Sequence, residues 1–163
     1  MTRKALQIYF AGAIRAGRAD AVLYAALISE LKAFGAVLTE HVGDPALSEA
    51  GGDGPDDRHI HDRDMAWLRN CDCVVAEVST PSLGVGYELA WATAFEKPVL
   101  CLYRSAAGRP LSAMIAGSPG ISTASYTSLA EAKTIVREFV GPFAENGPAP
   151  PRTAVSRKTG RMK

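Results

Sequence analysis

The chain has 163 residues, 47% of them hydrophobic, which suits one domain with its own buried core. Its formal charge of +1 hides an asymmetry: beyond Phe143, five basic side chains (Arg152, Arg157, Lys158, Arg161, Lys163) face only Glu145, leaving −3 for the rest. A mildly acidic body excludes an extended nucleic-acid groove, so any phosphate must be held by a local site.

Leu6–Ala11 reads as a first strand, and the chain enters it directly, so no signal peptide is expected. A Gly/Arg-rich loop, Gly12–Arg18, leads to a helix near Asp20 that presents Leu23, Leu27, Leu31 and Phe34 at helical spacing. Gly35 is expected to stop it, with a short second strand over Val37–Thr39. Val42–Asp57 is rich in Gly, Asp and Pro, and a loop that long is expected to be functional or disordered. A helix follows over Asp57–Asn70, then an apolar third strand, Cys73–Val78, buried on both faces. After the loop Ser79–Ser82 comes a helix over Gly84–Glu96, and Pro98 opens a fourth strand, Val99–Tyr103. A short helix over Pro110–Ala116, a weak strand over Ile121–Tyr126 and a helix over Ser128–Val140, ended by Gly141-Pro142, complete the pattern.

No repeat is visible, and no apolar run approaches the roughly 18 residues of a membrane span. Cys71, Cys73 and Cys101 are odd in number and fall in or beside strands, so they read as buried small hydrophobes in a reducing compartment. The expected setting is cytoplasmic, or nuclear in a eukaryote, with neither membrane nor nucleic acid as partner. Residues 1–143 are expected to form the domain, and 144–163 a disordered basic tail.

Alternating strands and helices predict a flavodoxin-like, Rossmann-like three-layer α/β sandwich, five parallel strands in the order 2-1-3-4-5. Ligands bind such sheets at the carboxyl edge between strands one and three. The two loops there are the most unusual in the sequence. The first, Tyr9 to Arg18, has glycines that permit close backbone approach and Arg15, which suits a phosphate; it is neither a dinucleotide fingerprint nor a Walker A loop. The second, Glu77 to Glu88, opens a helix, where Ser82 and Gly84 offer a hydroxyl and free N–H groups to an anion. The helix N-terminus is expected to favour ionised Glu88, the form a nucleophile needs.

A third element is Asp62-Arg63-Asp64: positions i and i+2 point apart, so one acid faces the sheet edge and the other solvent. His59 and His61 fail as a zinc pair for the same reason, and His41 either lines the site or caps the second strand. Each of these features has an ordinary structural reading when taken alone. Together, two carboxylates and a phosphate cradle are the equipment for cleaving a glycosidic bond through a covalent intermediate, with no metal or cofactor.

Longer segments carry a resemblance. They are Tyr9-Phe10-x-Gly12-x-Ile14-Arg15-x-Gly17-Arg18, Phe34-Gly35-x-Val37-Leu38-Thr39-Glu40-His41-Val42, and Ile60-His61-x-x-Asp64-x-x-Trp67-Leu68. Val74-Val75-Ala76-Glu77-Val78, the unbroken Pro81-Ser82-Leu83-Gly84-Val85-Gly86-Tyr87-Glu88-Leu89, and Leu111-Ser112-Ala113-Met114-Ile115 follow in order. With these the chain resembles the 2'-deoxynucleoside 5'-phosphate N-hydrolases, a branch of the nucleoside 2-deoxyribosyltransferase superfamily.

The resemblance implies that Glu88 forms a glycosyl-enzyme, that Asp64 contacts substrate and is a candidate for protonating the base, and that Tyr9 positions nucleophile and sugar. It implies substrate contacts from Gly12, Ile14 and Arg15 and phosphate contacts from Ser82 and Gly84, and Arg18 and His41 are expected among the substrate-binding residues. Ser112 would enter the partner subunit's phosphate site in a homodimer, with Met114 at that interface. Ala13 departs from the family's Ser, and the Gly43–Asp57 loop differs, so base preference stays open. Alternative activities are a deoxyribosyltransferase, a CMP-type ribonucleotide N-hydrolase and a nucleotide-binding module without turnover. Tyr9 or Ile14 is the expected check against a 2'-hydroxyl.

Overall fold

The computed structural model describes residues 5–47 and 56–146. Its strands are β1 (Leu6–Ala11), β2 (Gly35–Val37), β3 (Cys73–Glu77), β4 (Val99–Arg104) and β5 (Ser122–Tyr126). All pair in parallel, in the order β2-β1-β3-β4-β5. The helices are α1 (Ala21–Leu31), α2 (Asp57–Asn70), α3 (Leu83–Ala94), α4 (Ala113–Ala116) and α5 (Leu129–Asn146). This is the flavodoxin-like topology that the alternating pattern predicts.

Strand parity decides what faces what, because successive side chains point to opposite faces of a sheet. Leu6, Ile8, Phe10, Cys73, Val75, Leu100 and Leu102 pack on one face with Tyr24, Leu27, Leu31 of α1 and Val136, Val140 of α5. Tyr9, Ala11, Val74, Ala76, Val99 and Cys101 pack on the other with Met65 and Leu68 of α2 and Val85, Leu89 and Ala92 of α3. Tyr9 therefore lies on the α3 side of the sheet. All three cysteines are buried and free.

The structure differs from the sequence reading at several element boundaries. Strand β2 starts two residues early, at the glycine expected only to stop α1. A Cβ on Gly35 would lie 2.2 Å from the Leu6 carbonyl oxygen, so glycine permits the close approach to β1. Past Val37 the Leu38 N–H still reaches Ile8, and Thr39 then pairs with Phe10 through its side chain. A 3-10 turn over Glu40–Gly43 occupies the start of the predicted loop. Helix α4 begins only at Ala113, with Ser112 extended ahead of it.

Helix α5 runs through Gly141-Pro142 to Asn146, so Ala144–Asn146, expected in the disordered tail, are helical. Proline there removes one helical hydrogen bond. The Phe139 and Phe143 rings, 5.4 Å apart edge to face, flank the proline and pack against the α1 side of the core, which favours the helix continuing. The remainder of the expected tail and residues 48–55 of the long loop lie outside the described residues. Among the described residues no helix is long and apolar enough to cross a membrane.

Candidate active site

Helix α3 buries Val85, Leu89 and Ala92 against the sheet. Glu88 falls within that stripe, three residues after Val85 and four before Ala92, where helical periodicity calls for an apolar side chain. Its carboxylate meets Tyr9, whose hydroxyl donates to Glu88 Oε1 at 2.6 Å. Tyr9 is itself buried, and burial together with the Glu88 charge pushes its phenol far above the usual range, so it stays a donor.

The helix N-terminus was expected to keep Glu88 ionised; the opposite effect prevails. Burial pushes the Glu88 carboxyl up from 4.5 to about 7, against the lowering effect of the Tyr9 hydrogen bond, and the Asp64 charge adds to the rise. The physical reason is position. Glu88 is in the second turn of α3, and the dipole effect fades within the first.

Glu88 opens onto a cavity of about 640 Å³ at the carboxyl edge of β1 and β3. Gly12, Ile14 and Arg15 of the first loop line it, as do Asp64 of α2 and Ser82 and Gly84 at the start of α3. His41 also lines it. Gly12 is required by its neighbour, since a Cβ there would lie 2.9 Å from the Tyr24 ring, whose hydroxyl receives the Ala13 N–H. Gly84 is different: a Cβ would meet nothing nearer than Ser82 Oγ at 3.8 Å, so the space beside it is open. Leu83 and Gly84 begin α3, so their N–H groups have no intrahelical partner. Ser82 is the N-cap, accepting the Val85 N–H at 3.4 Å.

Asp62 and Asp64 of α2 separate as expected. Asp64 lines the cavity, and Arg63 grips it through Nε and Nη2, both at 2.9 Å. Asp62 points to solvent and pairs with Arg58 and His61. Arg63 was not singled out from the sequence. Its guanidinium lies 4.6 Å from the Trp67 ring centroid and 3.5 Å from His41 Nε2. The i, i+4 spacing of Arg63 and Trp67 is the signal that would have found it. Burial and the Arg63 charge hold His41 below its usual pKa, so it is neutral at pH 7. His61, considered above only for zinc, lines the cavity through another route, its Nε2 lying 3.2 Å from the Tyr87 hydroxyl.

Four residues are placed otherwise. Arg15 lines the cavity but is engaged by Asp57 across it, at 2.6 Å. Arg18 is outside the lining; it donates to the carbonyls of Val42 and Asp44 and pins the 3-10 turn. Ser112 and Met114 line a second, largely apolar cavity of about 560 Å³, on the other side of the Ser79–Leu83 loop. Ala13 is fully buried. Among the described residues no three His, Cys, Asp or Glu side chains converge as a metal site.

A parallel α/β sheet with a carboxylate-bearing cavity at its switch point defines the class. The chain belongs to the nucleoside 2-deoxyribosyltransferase family, whose pattern matches residues 8–137. It is similar to the 5-hydroxymethyl-dUMP N-hydrolase of Mus musculus, 47% identical over 145 residues that cover 87% of this chain and 84% of the mouse protein. To the Danio rerio protein of the same name it is 52% identical over 113 residues, covering 69% and 79%. The solution structure of BlsM shares the fold, with a TM-score of 0.66, 18% identity and coverage of 91% of this chain and 98% of that one.

The elevated Glu88 pKa has a consequence for stability. A carboxyl raised in the folded state favours folding most below its unfolded value, and that contribution is lost as pH rises through about 7. Glu88→Gln removes the titration. Its stability relative to wild type is expected to grow between about pH 5 and about pH 8, by at most about 3 kcal/mol less solvent screening. Thermal unfolding of both proteins at the two pH values checks this; a pH-independent difference would place Glu88 in the ordinary carboxylate range.

Proposed function

We propose that the chain hydrolyses the N-glycosidic bond of 2'-deoxynucleoside 5'-monophosphates, with Glu88 as nucleophile. The observation that carries this reading is a carboxylate set in an apolar stripe, hydrogen-bonded to Tyr9 and facing a cavity rimmed by open helix N–H groups. A structural glutamate gains nothing from that position; a nucleophile needs it.

The steps follow from the placement. The 5'-phosphate rests on the Leu83 and Gly84 N–H groups and the Ser82 hydroxyl, which hold the sugar in line. With Glu88 ionised and one proton on Asp64, a Glu88 oxygen attacks C1', the C1'–N bond breaks with its electron pair going to the base, and Asp64 gives that proton to the base. Arg63 then stabilises the carboxylate left on Asp64. Water attacks C1' in the second step, Asp64 takes its proton, and Glu88 leaves as the free carboxylate. The products are free base and 2-deoxyribose 5-phosphate. Ile14, which lines the cavity, or Tyr9, which holds Glu88, is the side chain proposed to exclude a 2'-hydroxyl.

The phosphate cradle favours a hydrolase of nucleotides over a transferase acting on nucleosides, for which it would be idle. The mouse and zebrafish relatives are named for 5-hydroxymethyl-dUMP, so that nucleotide heads the substrate panel. Incubation with matched deoxy- and ribonucleotides should release base and 2-deoxyribose 5-phosphate from the deoxy series. Glu88→Ala should bind nucleotide without turnover, and Asp64→Asn should lose roughly 10²-fold in rate, more for basic leaving groups. Wild-type turnover by Glu88→Ala would refute the mechanism, and equal rates on the two sugars would remove that role of Ile14 or Tyr9.

The active unit in this reading is a homodimer. Met114 and Leu83 are 81% and 97% exposed beside the second, apolar cavity, a costly arrangement for a monomer. A second copy covering this face would bring its Ser112 toward the cradle, since Ser82 and Leu83 border both cavities. Met114→Asp is expected to halve the mass seen by sedimentation and to lower activity; a wild-type protein that sediments as a fully active monomer would refute the dimer.

A further inference from the structure

Asp20 occupies the N-cap position of α1, yet its side chain makes no capping bond. Aspartate at that position normally caps. Here its carboxylate is used elsewhere. Thr80 Oγ1 donates to Asp20 Oδ2 at 3.0 Å, and the Arg104 guanidinium donates to both oxygens, at 3.0 and 3.2 Å. These contacts join three loops: the one after β1, the one after β3, and the end of β4.

A second set of bonds fixes the same loop from beneath. The Arg104 N–H donates to Ser79 Oγ at 2.8 Å, and the Ser79 hydroxyl donates to Glu77. Glu77 is fully buried and also receives the Tyr126 hydroxyl at 3.0 Å. The polar side chains of residues 77–80 are thus all held, and Pro81 stiffens the step to Ser82 and Gly84. None of Asp20, Glu77, Thr80 or Arg104 lines the Glu88 cavity.

We propose that Asp20, Thr80 and Arg104 are positioning residues that lock the Ser82–Gly84 cradle against the first loop before substrate arrives, so that 5'-phosphate affinity depends on a tie that never touches the phosphate. The inference rests on reading Ser82 and Gly84 as the phosphate cradle. Its physical basis is preorganisation: a loop already in its bound geometry loses no freedom on binding. The two ends of the tie differ in exposure, Asp20 at 10% and Arg104 at 36%, so the carboxylate is well sheltered from solvent competition.

The test is steady-state kinetics on the deoxynucleoside monophosphate turned over fastest, with inorganic phosphate as competitive inhibitor. Thr80→Val and Asp20→Asn should each raise KM and the phosphate inhibition constant about tenfold, with kcat within about threefold of wild type. Because both cut one tie, the double variant should be little worse than either single. Arg104→Lys should recover much of what Arg104→Met loses. Arg137→Met, which breaks the distant pair with Glu30, controls for lost stability and should leave KM unmoved. Ser82→Ala separates the two readings. If it raises both constants while the Asp20 and Thr80 variants behave like Arg137→Met, the tie is refuted and the cradle stands. If Ser82→Ala leaves both constants unchanged, the cradle falls and the tie with it. A drop in kcat at constant KM in the Asp20 and Thr80 variants would equally overturn the proposal.

Discussion

The 2.6 Å hydrogen bond from Tyr9 to Glu88 joins residues 79 positions apart and ties the first strand to the third helix. Everything distinctive about the site depends on it. A carboxylate in an apolar stripe is costly unless a donor meets it. Tyr9 supplies that donor, and its own burial keeps the phenol protonated. The pair leaves one carboxylate oxygen of Glu88 without this tyrosine contact, at the edge of the cavity. Burial still dominates, so the carboxyl is pushed up to about 7. Such tuning is typical of groups that react.

The sheet makes this meeting possible. Parallel order β2-β1-β3 places the carboxyl ends of β1 and β3 side by side, and the chain leaves them toward opposite faces. The cavity sits in the gap that results. Strand parity turns Tyr9 toward α3, while Phe10 turns the other way and packs against Tyr24. The same Tyr24 forces glycine at position 12, so the first loop is shaped from the core outward. On the opposite wall, Arg63 holds Asp64 while stacking on Trp67, which gives the second carboxylate a fixed partner.

Much of this was legible in the residues. Strand and helix order followed from alternating periods, and the switch point followed from that order. Glu88 could be picked out because it follows the anion-binding loop in the first turns of α3. Other features depend on contacts that periodicity does not encode. The passage of α5 through Pro142 is decided by Phe143 packing on the far core. The start of β2 at Gly35 is decided by the Leu6 backbone. The direction of the Glu88 shift was misjudged because helix position suggested a dipole effect, whereas burial depth, invisible in sequence, decided it. Arg18 was expected among the substrate-binding residues, yet the Val42 and Asp44 carbonyls occupy it. Asp20 was expected only near the start of a helix, and the fold shows the segments after β3 and at the end of β4 that its carboxylate joins.

The claim on which the account turns is that Glu88 is an elevated carboxyl held by Tyr9. The direct measurement is a carbon-13 NMR titration of the Glu88 carboxyl in the wild type and in Tyr9→Phe. The account gives a midpoint of about 7 in the wild type, and a higher one in Tyr9→Phe, where the donor that favours the charged form is lost. A wild-type midpoint in the ordinary carboxylate range, unmoved by Tyr9→Phe, would contradict it.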